Sequence, residues 1–216
     1  AIFVLLGIEQ IRQQARNSFA STVSGVDLIV GAKTGSLNLL LYSVFRIGSP
    51  TDNISWQAYR EIADSDDVAW AIPISLGDSH EGYRVVGTTQ AFFEHFSFGK
   101  KRRLALSEGE AFEGTFDAVL GSEVALALGY SVGTEIILAH GLASTSFTKH
   151  DNQPFVVVGV LAPTGTPVDQ TIHVRLEGIE AMHAGGSTAP IGAFAPASAP
   201  ATDFSEPESI TAFSVS

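Results

Sequence analysis

The 216-residue sequence predicts an α+β fold in two parts, a discontinuous first body and a mainly β unit inserted into it. Three observations carry this expectation. Helix-like and strand-like apolar patterns alternate along the first third of the chain. The middle is dominated by short Val-, Ile- and Leu-rich segments set between turn residues. A last strand-like stretch then follows an Ala/Pro/Gly/Ser-rich connection. Hydrophobic residues make up 45% of the chain and charged residues 16%, which suits a folded core and not a disordered chain.

The chain opens inside an apolar run, Ile2 to Leu6, followed by Ile8, Ile11, Ala15 and Phe19 at the 3–4 residue spacing of one helical face. Gln10, Arg12, Gln13, Gln14 and Arg16 fill the other face. Spanning a bilayer takes about 20 apolar residues, and only a handful stand here. Two readings fit: the last turns of a membrane helix, or an amphipathic helix of a soluble domain. A signal peptide fits less well, because no basic leader precedes the run and no small-x-small cleavage site follows it.

After Ser24-Gly25, Val26 to Val30 reads as a buried strand. Leu37 to Phe45 (LNLLLYSVF) is too apolar for a free loop and reads as a short buried helix or a surface-seeking patch. Ser55 caps a helix, SWQAYREIADS, with Trp56, Tyr59 and Ile62 on one face. Val68 to Leu76 alternates as a strand, although Pro73 argues for an edge or a bulge, and Gly82 to Gly87 pairs with it across a hairpin. Helices on one face of a sheet are expected.

Phe92, Phe93, Phe96 and Phe98 open the middle unit as core residues. Ala118 to Gly121 ends a strand, and Ser122 caps the helix SEVALALG, which stops at Gly129. Thr134 to Ala139, Phe155 to Leu161 and Thr171 to Val174 read as strands, and Leu176 to His183 as a helix. Gly185 to Pro200 reads as a mobile connection, and Ser209 to Val215 as a strand returning to the first sheet. The expected division is 1–25 as entry helix, 26–87 with 208–216 as the first body, 88–183 as the inserted unit and 184–207 as linker.

Net charge is −11, and it is uneven. Up to Arg103 ten basic and ten acidic residues balance, whereas two basic and thirteen acidic residues follow. An acidic surface repels phosphate backbones, so nucleic-acid binding is not expected. Lys100 to Arg103 is most simply a solvated loop, with contact to anionic lipid or an acidic partner as the alternative. The absence of cysteine excludes disulfides, thiolate metal sites and cysteine nucleophiles.

No motif for chemistry stands out. Gly31-Ala32-Lys33-Thr34-Gly35-Ser36 has the wrong order and spacing for a phosphate loop. His80, His95, His140, His150, His173 and His183 show no zinc spacing. Asp64, Asp66 and Asp67 lack the Gly and terminal Glu of a calcium loop. Gly121-Ser122 lacks the pattern of a nucleophile elbow. No catalytic, cofactor or metal site is expected, and the chain does not read as an enzyme.

The segments SGVDLIVGAKTG, FDAVLGSEVALALGYSVGTEIIL and FVVVGVLAPTGTPVDQTIHV, in that order and spacing, resemble the extracytoplasmic core domain of MacB-type, FtsX-like ABC-transporter permeases. The resemblance covers most of residues 20–183 and rests on packing patterns. It implies a first transmembrane helix leading into the domain, a βαβ-rich subdomain near the bacterial inner membrane, and a β-rich insert exposed to the periplasm. It also implies a cytoplasmic ATPase subunit, a permease homodimer or heterodimer, and a periplasmic adaptor or substrate as partners. Arg12 and Arg16, directly after the apolar run, run mildly against an outside location. The nominated partner surface is Leu41, Tyr42, Phe45 and Arg46, an apolar and aromatic patch with one charge; simple burial is the competing reading. The rival function is an extracytoplasmic ligand-sensing domain of a membrane receptor, which needs a pocket with convergent polar groups.

Overall fold

The computed structural model describes residues 3–4, 6–10, 13, 22, 24–140, 154–185 and 206–216. The expectations for Ile11, Arg12, Ala15, Arg16 and Phe19, and most of the linker, lie outside them. In chain order the elements are β1 (Leu28–Gly31), α1 (Ser36–Ser43), β2 (Ile54–Ser55), α2 (Trp56–Ala63), β3 (Ala71–His80), β4 (Tyr83–Thr88), α3 (Ala91–His95), β5 (Ser97–Phe98), β6 (Arg102–Arg103) and β7 (Leu106–Gly109). There follow β8 (Asp117–Leu120), α4 (Ser122–Leu128), β9 (Glu135–Ile136), β10 (Ala139–His140), β11 (Phe155–Leu161), a 3-10 turn at Pro167–Gln170, β12 (Thr171–Arg175), α5 (Leu176–Gly185), β13 (Ser209–Ile210) and β14 (Ala212–Val215). Before β1, the described residues 3–4, 6–10 and 13 are helical, and Phe3, Val4, Leu6 and Ile8 are exposed on them. Among the described residues no helix is long and apolar enough to cross a membrane.

A single mixed sheet runs β1-β14-β3-β4-β12-β8-β11-β7, with β10 added beside β3 and β9 beside β11. Pairing is parallel only at β4/β12 and β8/β11. The ten residues of β3 extend roughly 33 Å. β14 flanks its first half, from Ala71 to Ile74, and β10 flanks its far end at Asp78 and Ser79. The turn into β4 is a two-residue loop in which Glu81 and Gly82 both take positive φ (48° and 83°), as a tight antiparallel hairpin requires.

Pro73 sits inside this central strand, where a missing N–H normally breaks a ladder. The ladder to β4 begins only at Ser75↔Gly87. Thr88 Oγ1 donates to the Pro73 carbonyl (2.8 Å), so the side of the strand where an N–H would point has no backbone acceptor in register. The bulge expected at Pro73 lies farther on, between Leu76 and Ser79.

Both faces of the sheet are covered, in place of the one face expected. Val85, Ala118, Leu120, Ile172 and Val174 pack against α4 and α5 through Val124, Ala125, Ile179 and Met182. The alternate residues Ile72, Ile74, Leu76, Val86 and Val119 pack against Tyr42 of α1 and the phenylalanines around α3. Strands buried on both faces read as continuous apolar runs, which is what FVVVGVL is. Phe92, Phe96 and Phe98 are buried, with Phe92 and Phe96 ring centroids 4.9 Å apart and Phe93 edge-on to Phe112 at 4.8 Å.

Ser55 caps α2 as expected, its side chain accepting from Ala58 N (3.2 Å). Tyr59 then turns inward, its ring edge-on to Phe213 of β14 at 5.1 Å. Burial raises its phenol to about 12. Ile62, expected on the same face, is 39% exposed.

Four local expectations are corrected. The buried strand at Val26–Val30 is the edge strand β1, with a single neighbour and with Leu28 56% exposed. The strand Thr134–Ala139 is two short pieces, because β9 pairs with β11 and β10 with β3. The last strand is interrupted at Thr211, whose N–H still donates to the Ile74 carbonyl (2.9 Å) while its Oγ1 accepts from Leu76 N (3.0 Å). Ser122 is the first residue of α4, not its cap. Gly121 takes the cap position with no side-chain bond, because a side chain there meets the Val168 and Asp169 carbonyls.

Candidate functional site

The nominated residues lie at the end of α1 and in the loop after it. The helix starts at Gly35, whose φ of 85° is a left-handed value that glycine adopts without strain, and it has no side-chain cap. Thr34 supplies the anchor instead, with Oγ1 3.1 Å from Tyr42 Oη. Tyr42 is 3% exposed and belongs to the core; Leu41, Phe45 and Arg46 are half-buried. Arg46 takes a positive φ of 59° and turns back to donate from Nη1 to the Ser43 carbonyl at the helix end. A cation there complements the helix dipole. Gly31 of β1 lets α1 lie close, since a Cβ there would stand 2.2 Å from Leu39 Cδ1.

Beneath this loop three basic groups share one face of the sheet. Arg84 on β4 is buried and donates from Nη2 to the Gly48 carbonyl, while its Nε has no partner. His173 on β12 is fully buried and stacks on Phe92 at 4.7 Å, with neither ring nitrogen in hydrogen-bond geometry. Desolvation, and then the Arg46 charge, lower the His173 imidazole to about 3; the Val119 backbone offsets this only in part. Desolvation, and then the Arg84 charge, lower Arg46 to about 10. Burial also lowers Arg84.

The sequence hid this trio. Its one local signal is a histidine at an inward position of TIHVR, between Ile172 and Val174, which face the opposite core.

Between α1 and the edge strand lies a cleft of about 310 Å³, lined by Val26, Asp27, Leu28, Ile29, Leu39 and Leu40 with Ser36. Its lining is mainly apolar, and the Asp27 carboxylate is taken by Ser216 Oγ (2.8 Å). The chain entering β1 is tied to the phenylalanine unit at Ser24. Its N–H donates to the Ser97 carbonyl (2.9 Å), and Ser97 Oγ donates back to the Ser24 carbonyl. Ser24 and Ser97 stand far apart in sequence, and nothing in either segment advertises the pairing.

A second polar group lies at the far end of β3. Asp78, 4% exposed, stands 3.8 Å from His183 of α5, and His80 bonds through Nδ1 to the Ile137 carbonyl (2.7 Å) and through Nε2 to Tyr130 Oη (3.1 Å). The bond to Asp78 raises the His183 pKa above its ordinary 6.5, against partial desolvation, with the Asp78 and Glu180 charges adding to the rise. Glu180 on the same helix is itself raised, chiefly by desolvation. The stabilising pair is therefore complete below pH 6.5 and is lost as pH rises through the folded-state value. An NMR titration is expected to place the His183 midpoint above 6.5, and Asp78→Asn to lower it.

Lys100 to Arg103 forms the exposed tip and second strand of the β5–β6 hairpin, with the Arg102 guanidinium 4.5 Å above the Phe98 ring. Among the described residues no three His, Cys, Asp or Glu side chains converge to hold a metal ion.

No curated protein matches the chain. Solved structures similar to it include the periplasmic region of MacB from Actinobacillus actinomycetemcomitans, at 10% identity and a TM-score of 0.49, covering 95% of this chain and 78% of that one. The extracellular domain of the noncanonic ABC-type transporter YknZ from Gram-positive bacteria is similar at 12% identity and a TM-score of 0.46, covering 76% and 73%. The family model for the MacB-like periplasmic core domain matches residues 1–194. With nine-tenths of its residues inside that match, the chain belongs to the MacB-like periplasmic core domain family of ABC-transporter permeases.

Proposed function

We propose that this domain is a non-catalytic mechanical element of a permease in the bacterial inner membrane. It couples ATP hydrolysis by a cytoplasmic ATPase subunit to movement of a substrate or partner on the outer side. One observation supports the reading above the rest: β3 is one ten-residue strand, bulged between Leu76 and Ser79, gripped at one end by β14 and at the other by β10. β14 in turn pairs with β1, the strand that follows the exposed apolar helix. Displacement of that helix is delivered to the sheet edge at β1 and, through Ser24–Ser97, to the opposite helical layer.

The two moving bodies are proposed as 26–87 with 208–216 and 88–183, meeting along the β4–β12 ladder and at the β3–β10 pair. The partner contact is proposed at the end of α1, through Leu41 and Phe45, with Tyr42 and Arg46 supporting them from beneath. The permease works as a dimer.

The test uses the full-length permease with its ATPase in lipid. In a permease whose other cysteines, if any, are replaced, Gln57→Cys and Leu126→Cys, both at exposed positions of this cysteine-free segment, report the distance between the bodies. An ATP-dependent change in that distance is expected, and a flexible glycine insertion after Gly25 is expected to abolish it while hydrolysis continues. A distance that ignores ATP and responds to a small ligand alone would establish the sensing role instead.

A further inference from the structure

The β5–β6 hairpin carries four of the chain's twelve Lys and Arg residues in a row, Lys100, Lys101, Arg102 and Arg103. All four are exposed, and among the described residues no carboxylate lies within ion-pair distance of them. We propose that this hairpin tip is a docking surface for the anionic phosphate headgroups of the membrane that the permease occupies. The inference rests on reading the domain as part of a permease in a lipid bilayer.

The run of the chain aims the hairpin at that bilayer. Thr22 is helical and buried, and the chain passes from it through Ser24 toward β1. Ser24 bridges Ser97 in the antiparallel sense, so β5 runs the opposite way, back to the side from which the helical segment arrives. Two bonds fix the join: Ser24 N–H donates to the Ser97 carbonyl (2.9 Å), and Ser97 Oγ donates to the Ser24 carbonyl. The chain then reverses in the loop 99–101 and returns with Arg102 opposite Phe98 and Arg103 opposite Ser97. Lys100 therefore projects roughly 10 Å beyond the join. The exposed apolar residues Phe3, Val4, Leu6 and Ile8 lie on the helical segment that precedes it.

Charge and shape both suit a lipid surface. The chain carries a net −11, and thirteen acidic residues follow Arg103, so an anionic bilayer repels the body as a whole and attracts the tip. The Arg102 guanidinium rests 4.5 Å over the ring of Phe98, which is 5% exposed. That contact braces the returning arm on the core and leaves the guanidinium N–H groups open to phosphate. Lys101 takes a φ of 56°, a left-handed value that glycine or asparagine adopts more readily. A lysine there keeps its charge at the tip at a cost in backbone strain.

The probe is phosphatidylglycerol. The full-length permease, its other cysteines replaced, carries a fluorophore at Lys101→Cys and is placed in phosphatidylcholine nanodiscs, with and without phosphatidylglycerol. A quencher is attached to the lipid headgroups. Quenching is expected to be several-fold stronger with phosphatidylglycerol and to fall at about 1 M salt, where the Debye length is about 3 Å. Lys100→Gln with Arg103→Gln is expected to remove the gain, because each basic residue near an anionic surface contributes about fivefold in affinity. Should that variant not fold, the lipid and salt dependence of the parent still decide. Equal quenching in the two lipids, or a gain that survives the double variant, overturns the proposal and leaves the tip to solvent or to an acidic protein segment. That outcome keeps the permease reading, since the protein still sits in the bilayer; a protein that does not enter the nanodisc overturns both.

Discussion

Replacing His173 with leucine is expected to leave the melting temperature at neutral pH unchanged or raised, and to remove most of the acid sensitivity that this residue imposes. The reasoning starts from burial. Both ring nitrogens lie inside the core without a well-formed hydrogen bond, the Val119 backbone compensating only in part, so the wild-type protein already bears most of the desolvation of two polar atoms. An apolar side chain of similar volume removes that penalty and keeps the contacts to Phe92.

The sign of the pH effect follows from the depressed pKa. Unfolded, the imidazole takes up a proton near 6.5; folded, it does so only near 3. Between those values the unfolded state holds one more proton, so stability falls as pH falls, by about 1.4 kcal/mol for each pH unit crossed. Urea titrations of wild type and His173→Leu, at neutral pH and midway through that window, isolate the contribution as a difference. If the variant loses as much stability on acidification as the wild type does, His173 is not the buried neutral base described here.

Gly121→Ala is expected to cost about 3 kcal/mol or to prevent folding. The added Cβ would stand 2.3 Å from the Val168 carbonyl oxygen and 2.4 Å from that of Asp169. Both obstacles are backbone, so no rotamer change relieves them. The site is pinned from two further directions: Gly121 N donates to the Thr171 carbonyl (2.8 Å), and Asp169 is held by three donors from Thr164 and Gly165. The strain therefore separates the 3-10 turn from the start of α4, or breaks the β8–β12 ladder beside it. Gly77→Ala is the matched control, since nothing lies within 4 Å of its would-be Cβ. Denaturation midpoints should separate the two variants by far more than the few tenths of a kcal/mol typical of an exposed change; equal midpoints would falsify the steric account.

The sequence carried the local chemistry well wherever one neighbour decides a residue's state. Ser55 before an amphipathic stretch and Gly129 after SEVALAL mark helix ends by rules that act within a turn, and both stand where expected. Ser122 did not, because the cap position is decided by a backbone 47 residues away, pressed against Gly121. Val26–Val30 looked buried because apolar content does not say how many neighbours a strand will have. As the outermost strand, β1 has one neighbour and keeps Leu28 in solvent.

The order of capped helix, turns and apolar strands was enough to place the chain in its family, since those patterns arise from short-range hydrogen bonding and burial. What only the tertiary structure decided was which distant groups meet: Ser24 with Ser97, Asp78 with His183, and Arg46 with Arg84 and His173 under one loop. A strand's period of two tells which residues share a face, but not which helix or loop comes to lie on it. For Arg46 that difference is between a free surface charge and a half-buried one tied to the end of α1, and it arises from the turn after α1 folding the chain back over the sheet.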